Sequence, residues 1–390
     1  MIDHSRKGGI PIDIGVYIHI PFCEKKCGYC DFLSFLLPCE DRVADYVLGV
    51  KKELALWAER LERPRATSLY IGGGTPSILL PANLEDIFRS VKEYYSPEAG
   101  CEFTLEANPG TLSPAKLREI AAIGVNRLSL GVQAMDDRLL KNMGRIHTRD
   151  EAGEAVDLAR RAGIQNISVD LMYGLPGQTL EDWKDTLENV IRLQPEHISA
   201  YGLTLEPNTL WGEQHARGKL LLPDEEICVT MYETCREVLS QAGYLQYEIS
   251  NFARPGYECR HNLAYWYRKP YIGVGLGAAS FVGGTRYRNH TDFEEYLQAV
   301  SGGLLPIAEE EHLSPEQAMA ETIFLNLRTW KGISLRKFEQ QFGRDIYTVF
   351  PTELQLLERT GVLVREGHRI KMNPDFFAVS NEVFCKFISL

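Results

Sequence analysis

Hydrophobic positions along this chain switch repeatedly between two periods. Val43, Val47, Val50, Leu54, Trp57 and Leu61 recur at steps of three and four, which predicts an amphipathic helix of about five turns. Ser68-Leu-Tyr-Ile71 follows as a short buried strand, and the alternation then repeats. A helix carrying Leu84, Ile87, Phe88 and Val91 precedes the strand Glu102–Glu106; helix 114–122 precedes Arg127–Leu130; helices between 136 and 162 precede Ile167–Asp170; helix 180–193 precedes His197–Tyr201. With the apolar run that starts at Tyr17, this makes six strands alternating with helices, the signature of parallel βαβ units and an α/β fold. A complete (β/α)8 barrel takes about 250 residues, whereas this pattern covers roughly 190. An incomplete, six-stranded (β/α)6 TIM-like barrel is therefore expected, with a doubly wound sheet as the alternative. Each strand ends in polar or glycine residues: Gly72–Thr75, Glu106 with Asn108, Gln133, Asp170, and Thr204 with Glu206. In a parallel barrel these ends converge on one mouth, where chemistry sits.

The remainder has a different texture. Ile227, Met231, Val238 and Leu239 predict a helix between 223 and 242, and Tyr244–Ile249 reads as an edge strand. Cys259-Arg-His261-Asn262-Leu-Ala-Tyr265-Trp266 reads as a turn rich in glycine and tyrosine neighbours. In Tyr271–Ser280 a glycine at every second position predicts a strand with one bare face, on which something packs closely. Ser314-Pro315 opens a helix bearing Met319, Ile323 and Leu325, with shorter helices near 334–342 and 350–360. Gly361–Arg365 and Arg369–Met372 flank Glu-Gly-His, a hairpin signal. Helices plus a hairpin resemble a C-terminal α+β winged-helix-like domain. Residues 312–390 hold ten Lys/Arg against nine Asp/Glu, too balanced for a DNA reader, so a lid or docking role is expected. The chain accordingly divides into 1–222 with the barrel, 223–305 as a flanking segment, and 306–390 as the C-terminal domain.

Charge and composition narrow the function classes. At 44% hydrophobic and 24% charged, the 390 residues have ample material for a folded core. A net charge of −11 argues against nucleic acid as a partner. Nine cysteines, mostly scattered, fit a reducing cytoplasm rather than a disulfide framework. Met1–Lys7 lacks the apolar core of a signal peptide, and no run approaches the length of a membrane span; peripheral membrane contact stays open.

The candidate chemistry lies in Tyr17-Ile-His-Ile-Pro-Phe-Cys23-Glu-Lys-Lys-Cys27-Gly-Tyr-Cys30. Three cysteines at CxxxCxxC spacing offer soft thiolates to a [4Fe–4S] cluster. No fourth follows at ligand spacing, and position 31 is Asp, so one iron is left to bind another molecule. A zinc site would want two such pairs, and a buried core stripe would not use a glycine-containing loop.

This trio, Tyr29 before Cys30, and Gly72-Gly73-Gly74-Thr75-Pro76 resemble the radical S-adenosylmethionine (SAM) enzymes. Within them the chain resembles the branch of oxygen-independent coproporphyrinogen III oxidase and the HemW heme chaperones. The resemblance implies the incomplete barrel, a cluster on Cys23, Cys27 and Cys30, and an open iron that chelates SAM, whose reductive cleavage gives a 5′-deoxyadenosyl radical. It implies Tyr17, Gly73 and Glu106 as residues that hold the cluster-bound SAM. It matches Tyr29, Gly74, Thr75, Gln133, Arg145, Asp170 and Thr204 to positions that contact a second SAM in the oxidase; one or two SAM molecules both stay open. Physically, Asp170 and Gln133 suit ribose hydroxyls or a sulfonium, and Arg145 suits a carboxylate. The HNxxYW segment (His261, Asn262, Tyr265, Trp266) matches HemW, where it is associated with heme; imidazole is a common axial ligand and aromatics stack on porphyrins. A hydrogen-bonded structural His–Asn pair is the alternative, and Cys259 is read as a plain buried thiol before a thiolate ligand.

Three functions are weighed. A heme chaperone on a radical SAM scaffold is chosen over an oxidase that decarboxylates coproporphyrinogen III and over a radical SAM enzyme for another small molecule. Against the oxidase stand Asp31-Phe32, where its pattern has a further cysteine, and the short stretch before Tyr17. The implied partners are heme, recipient hemoproteins such as respiratory-chain subunits, and an electron donor for the cluster.

Overall fold

The structure is a computed structural model that describes residues 12–388. The Met1–Lys7 segment read above lies outside the described residues. The first strand, β1 (Asp13–Ile20), leads into a two-residue ladder, β2 (Phe22–Cys23) with β3 (Phe35–Leu36), which closes the cysteine loop. Then come α1 (Glu40–Arg60), β4 (Arg65–Gly73), α2 (Pro81–Tyr95), β5 (Glu102–Ala107), α3 (Pro114–Ile123) and β6 (Arg127–Gln133). These are followed by α4 (Asp137–Met143), α5 (Arg149–Arg161), β7 (Asn166–Tyr173), α6 (Leu180–Arg192) and β8 (His197–Gly202). The strands β1, β4, β5, β6, β7 and β8 are neighbours in that order and all parallel, so the incomplete six-stranded barrel is what forms. Their outward positions, among them Leu69, Leu105, Leu128, Val169 and Ile198, pack under the helices in one large core. Burying both sheet faces, apolar outside and polar inside, makes a hollow with a chemically active wall.

After α7 (Leu210–Ala216) and α8 (Glu225–Gln241) the chain extends both edges of this sheet. Strand β9 (Leu245–Gln246) is only two residues long, so the edge strand expected over 244–249 is mostly irregular; β10 (Asn251–Ala253) intervenes, antiparallel to β8. The HNxxYW segment is a short helix, α9 (Arg260–Trp266), rather than a turn. Strand β11 (Tyr271–Val274) runs parallel to β1, and β12 (Ala279–Val282) folds back against it. The single glycine-faced strand expected over 271–280 is thus a hairpin. Gly275 and Gly277 take φ of +102° and +62° in its turn, and a Cβ on Gly273 would lie 2.2 Å from the Ala279 carbonyl oxygen. The close neighbour is the chain's own return strand. Next, β13 (Thr285–Asn289), α10 (Phe293–Ser301) and β14 (Ile307–His312) complete a 12-stranded sheet.

The last segment carries α11 (Pro315–Leu327), β15 (Ile333–Ser334), α12 (Leu335–Phe342), α13 (Ile346–Val349), α14 (Pro351–Arg359), β16 (Leu363–Glu366), β17 (Arg369–Met372) and α15 (Ser380–Ile388). A three-stranded sheet, β15-β17-β16, and these helices enclose a second core of Ile323, Phe338, Phe350, Leu354, Ile370 and Phe387. Among the described residues no helix is long and apolar enough to cross a membrane.

Candidate cofactor site

The cysteine loop is pinned on three sides. The Leu37 amide donates to the Cys23 carbonyl (2.9 Å), the Gly28 amide to Met143 (3.2 Å) at the end of α4, and the Trp211 amide of α7 to the Gly28 carbonyl (2.9 Å). The glycine triplet runs beside the loop's start: Gly74 donates to Ile20 (2.8 Å) and Thr75 to Phe22 (2.8 Å). Only glycine fits here. Gly73 holds φ +114° with the His19 ring 2.5 Å from where a Cβ would be, and a Cβ on Gly74 would meet the Phe22 carbonyl at 2.6 Å.

This arrangement opens a cavity of about 330 Å³ at the carboxyl ends of the barrel strands. One wall is Cys23, Cys27, Tyr29 and Cys30; the others hold Gly73, Gly74, Thr75, Glu106, Gln133, Arg145, Asp170 and Thr204. The structure therefore brings together all three predicted cluster ligands and nine of the ten predicted SAM residues. Tyr17 is the exception: its hydroxyl is bound to His19 Nδ1 at 3.0 Å, behind the lining. Glu206, read as part of the strand-end set, is also absent from the lining; its carbonyl accepts at 2.7 Å from the hydroxyl of Thr209, whose side chain caps α7.

The donor set fits an iron–sulfur cluster. Of the nine cysteines, Cys23, Cys27 and Cys30 alone line the cavity. Burial raises the Cys23 thiol above its ordinary range and pushes Cys30 up to about 11, so bare thiolates are disfavoured there and a cationic iron core would reverse the balance. Thr75 Oγ1 donates toward Cys23 Sγ (3.6 Å) and Arg145 Nη1 toward Cys27 Sγ (3.7 Å), contacts of the kind that tune cluster sulfurs.

Opposite the thiols sit two buried acids whose carboxyls burial shifts upward. Glu106 accepts from Tyr70 Oη (2.7 Å) and the Gly73 amide (3.0 Å), and burial, against those bonds, pushes its carboxyl up to about 7. Asp170 accepts from Ser129 (2.9 Å) and Ser168 (3.3 Å), and burial raises it too. Arg145 is braced by Asn108 Oδ1 (2.6 Å) and the Gly131 carbonyl. Gln133 follows a bulge in β6 and holds φ +70°, a strained backbone that turns its amide into the cavity. Such groups together suit a cationic, hydroxyl-bearing ligand.

The HNxxYW residues separate. Asn262 reaches the cavity lining, but His261 is 1% exposed, with Nδ1 on Ser68 Oγ (2.8 Å) and Nε2 on Tyr265 Oη (2.8 Å). Its ring stacks 5.1 Å from Tyr70, and burial, helped by the field of Arg127, pushes it down to about 3. Neither ring nitrogen is free for a metal as the ring stands. Tyr265 packs edge-on to Tyr271 (4.5 Å), and Trp266 lies under the Arg328 guanidinium (4.4 Å) at the contact with the C-terminal segment. Cys259 is a buried thiol donating to Glu102 (3.6 Å), pushed up to about 12 by burial.

Cavity residues that strand ends could not reveal are Tyr70, Arg127, Ser129 and Ser199. They are inward positions one or more steps below the mouth. The available signal was period-two polarity inside strands otherwise apolar, as in Arg127-Leu-Ser-Leu.

Comparison with known proteins agrees over most of the chain. Profiles described as "Radical SAM superfamily" and "HemN C-terminal domain" match residues 17–190 and 313–375. The chain is 36% identical over 95% of its length to a protein of Bacillus subtilis named heme chaperone HemW, covering 98% of it. It is 37% identical to the HemW of Lactococcus lactis (95% of this chain, 96% of the relative) and 41% to that of Escherichia coli (68% and 69%). In fold it is similar to the coproporphyrinogen III oxidase HemN of Escherichia coli, with TM-score 0.85 over 97% of this chain and 91% of the other, at 22% identity.

Proposed function

The chain belongs to the HemW family of the radical SAM superfamily, and on that premise we propose that it is a heme chaperone that binds heme beside a [4Fe–4S]–SAM site and passes it to hemoproteins. The observation that carries this is a cavity wall with three thiols and no fourth, facing the carboxyls of Glu106 and Asp170, in a chain that matches HemW along 95% of its length. When bound, the cluster supplies an iron site for the amino and carboxylate groups of SAM and one electron toward its carbon–sulfur bond.

The protein's part is binding and orientation. Cys23, Cys27 and Cys30 would hold the cluster. Glu106, fixed by the Gly73 amide, would face the amino group of SAM, with Gly74, Thr75 and Tyr29 framing it and Tyr17 supporting from behind. Gln133, Asp170 and Thr204 would take ribose hydroxyls, and Arg145 a carboxylate. Heme is assigned to the region of α9, where Asn262 already meets the cavity. Use of His261 as an axial ligand requires its ring to leave Ser68 and Tyr265, with Tyr265 and Trp266 following. Recipients are hemoproteins, respiratory-chain subunits among them. Nine cysteines, mostly scattered along the chain, fit a reducing cytoplasm, where an electron donor serves the cluster.

Reconstituted protein is expected to show cluster absorption that Cys23→Ala, Cys27→Ala or Cys30→Ala each abolishes; a retained signal in any one removes that ligand. Hemin titration run beside an anaerobic assay of coproporphyrinogen decarboxylation tests the function. Hemin uptake without product is expected, and product without hemin uptake would reverse the choice. An unchanged hemin spectrum in His261→Ala would remove His261.

A further inference from the structure

One rung of the barrel interior carries polar atoms that the protein leaves unsatisfied. Thr104, Arg127 and Asn166 are register partners on β5, β6 and β7. Their chain neighbours Leu105, Leu128 and Ile167 belong to the outer core, so these three side chains point inward. Thr104 Oγ1, Arg127 Nε and Nη1, and Asn166 Oδ1 are all buried with no hydrogen-bond partner among the described residues. Arg127 is 2% exposed and lines the cavity. The nearby acids are otherwise engaged: Glu102 accepts from the amides of Arg260 and His261 and from Cys259, Glu106 from Tyr70 and Gly73, and Asp170 from Ser129 and Ser168. A guanidinium keeps its charge at any working pH; Glu102, Glu106 and Asp170 offset that charge through space, but none of them gives Nε or Nη1 an acceptor, and a buried donor left without one is costly.

Resting on the reading that this cavity serves a tetrapyrrole beside SAM, we propose that Arg127 is the receptor at the cavity floor for a carboxylate arm of the ligand, a heme propionate. The planar fork of the guanidinium matches a carboxylate, and the Thr104 hydroxyl lies on the same rung to share it. A phosphate dianion would suffer from Glu106 and Asp170 in the same cavity. The carboxylate of cluster-bound SAM is a poor source, because Arg127 and Gln133 stand at opposite ends of β6, roughly 20 Å of strand apart. The carboxylate of a second SAM molecule is the other source of the same chemistry, and the experiment separates the two.

Hemin and its dimethyl ester, which keeps the iron and macrocycle but has no carboxylate, are titrated into cluster-loaded wild type, Arg127→Lys and Arg127→Gln, with SAM stoichiometry measured on the same samples. Wild type is expected to prefer hemin by about tenfold or more, the strength of a charge-assisted pair. Arg127→Gln loses that preference, Arg127→Lys keeps part of it, and the SAM equivalents bound stay unchanged. If wild type takes hemin and ester alike while Arg127→Gln loses one of two SAM equivalents, the floor site stands with SAM as its source. Equal affinities with unchanged SAM binding overturn the proposal, and the wild-type comparison holds even where a variant does not fold. Failure of wild type to take up hemin at all fails the chaperone reading instead, leaving the SAM count to judge the floor site.

Discussion

At the scale of single residues, Glu106 shows how position sets chemistry. It was legible in the sequence as the polar end of an apolar strand, but its state was not. Burial and the bonds from Tyr70 and Gly73 place its carboxyl near 7, where it titrates in the working range. Cationic SAM favours the ionised form, so Glu106 should bind it better as pH rises through about 7. Because the SAM amino group also titrates, the useful quantity is the ratio of wild-type to Glu106→Gln affinity. That ratio should climb from near one at about pH 5.5 to roughly tenfold at about pH 8.5, the worth of a charge-assisted hydrogen bond; equilibrium binding checks it, and a flat ratio contradicts it. His261 shows the opposite case. Its place in a motif was visible, but its bonds to Ser68 and Tyr265 depend on strands and helices far apart in the chain, and one sequence does not encode that meeting openly.

At the scale of elements, strands and helices with a clear period were readable, because each buries one face or both against a common core. The helices expected over 43–61, 114–122 and 180–193 form as α1, α3 and α6 with ends shifted by a few residues. Glycine was harder to read. Alternate glycines at 273, 275 and 277 imitate a strand face, yet only Gly273 lies in a strand; Gly275 and Gly277 take left-handed turn conformations, which have no period. The glycine triplet stood out as part of the resemblance, and the structure supplies a packing reason for it. Gly73→Ala would force a left-handed Cβ into the His19 ring and shift the cysteine loop. It should cost on the order of 1–2 kcal/mol or more and lower the apparent Tm by about 1–3 degrees or more, measured by thermal unfolding of the apoprotein. An unchanged Tm would show that the loop relaxes freely.

At the scale of the whole molecule, non-local joins decide the architecture, and these left little trace in the sequence. Strand β11 pairs with β1 although some 250 residues separate them in the chain. The C-terminal segment is tied to the barrel flank by Glu321 of α11, which binds Arg268 Nε (2.6 Å) and also Arg286 of β13. Arg268 and Glu321 side chains are 8% and 9% exposed. Glu321→Gln should therefore leave a buried cation uncompensated at a cost of about 3–5 kcal/mol, seen as a lower urea midpoint; no change would mean water takes over at that join. The proposed chemistry would rest on three sulfurs at the barrel mouth and on an iron that no described residue is placed to claim. The direct measurement is low-temperature electron–nuclear double resonance on the anaerobically reduced, cluster-loaded protein with SAM labelled by 15N in its amino group and 17O in its carboxylate. Hyperfine coupling to both labels, lost when Cys23, Cys27 or Cys30 is replaced by Ala, is the result expected. A reduced cluster with no coupling to either label, or with coupling to a nitrogen of the protein in its place, would contradict it.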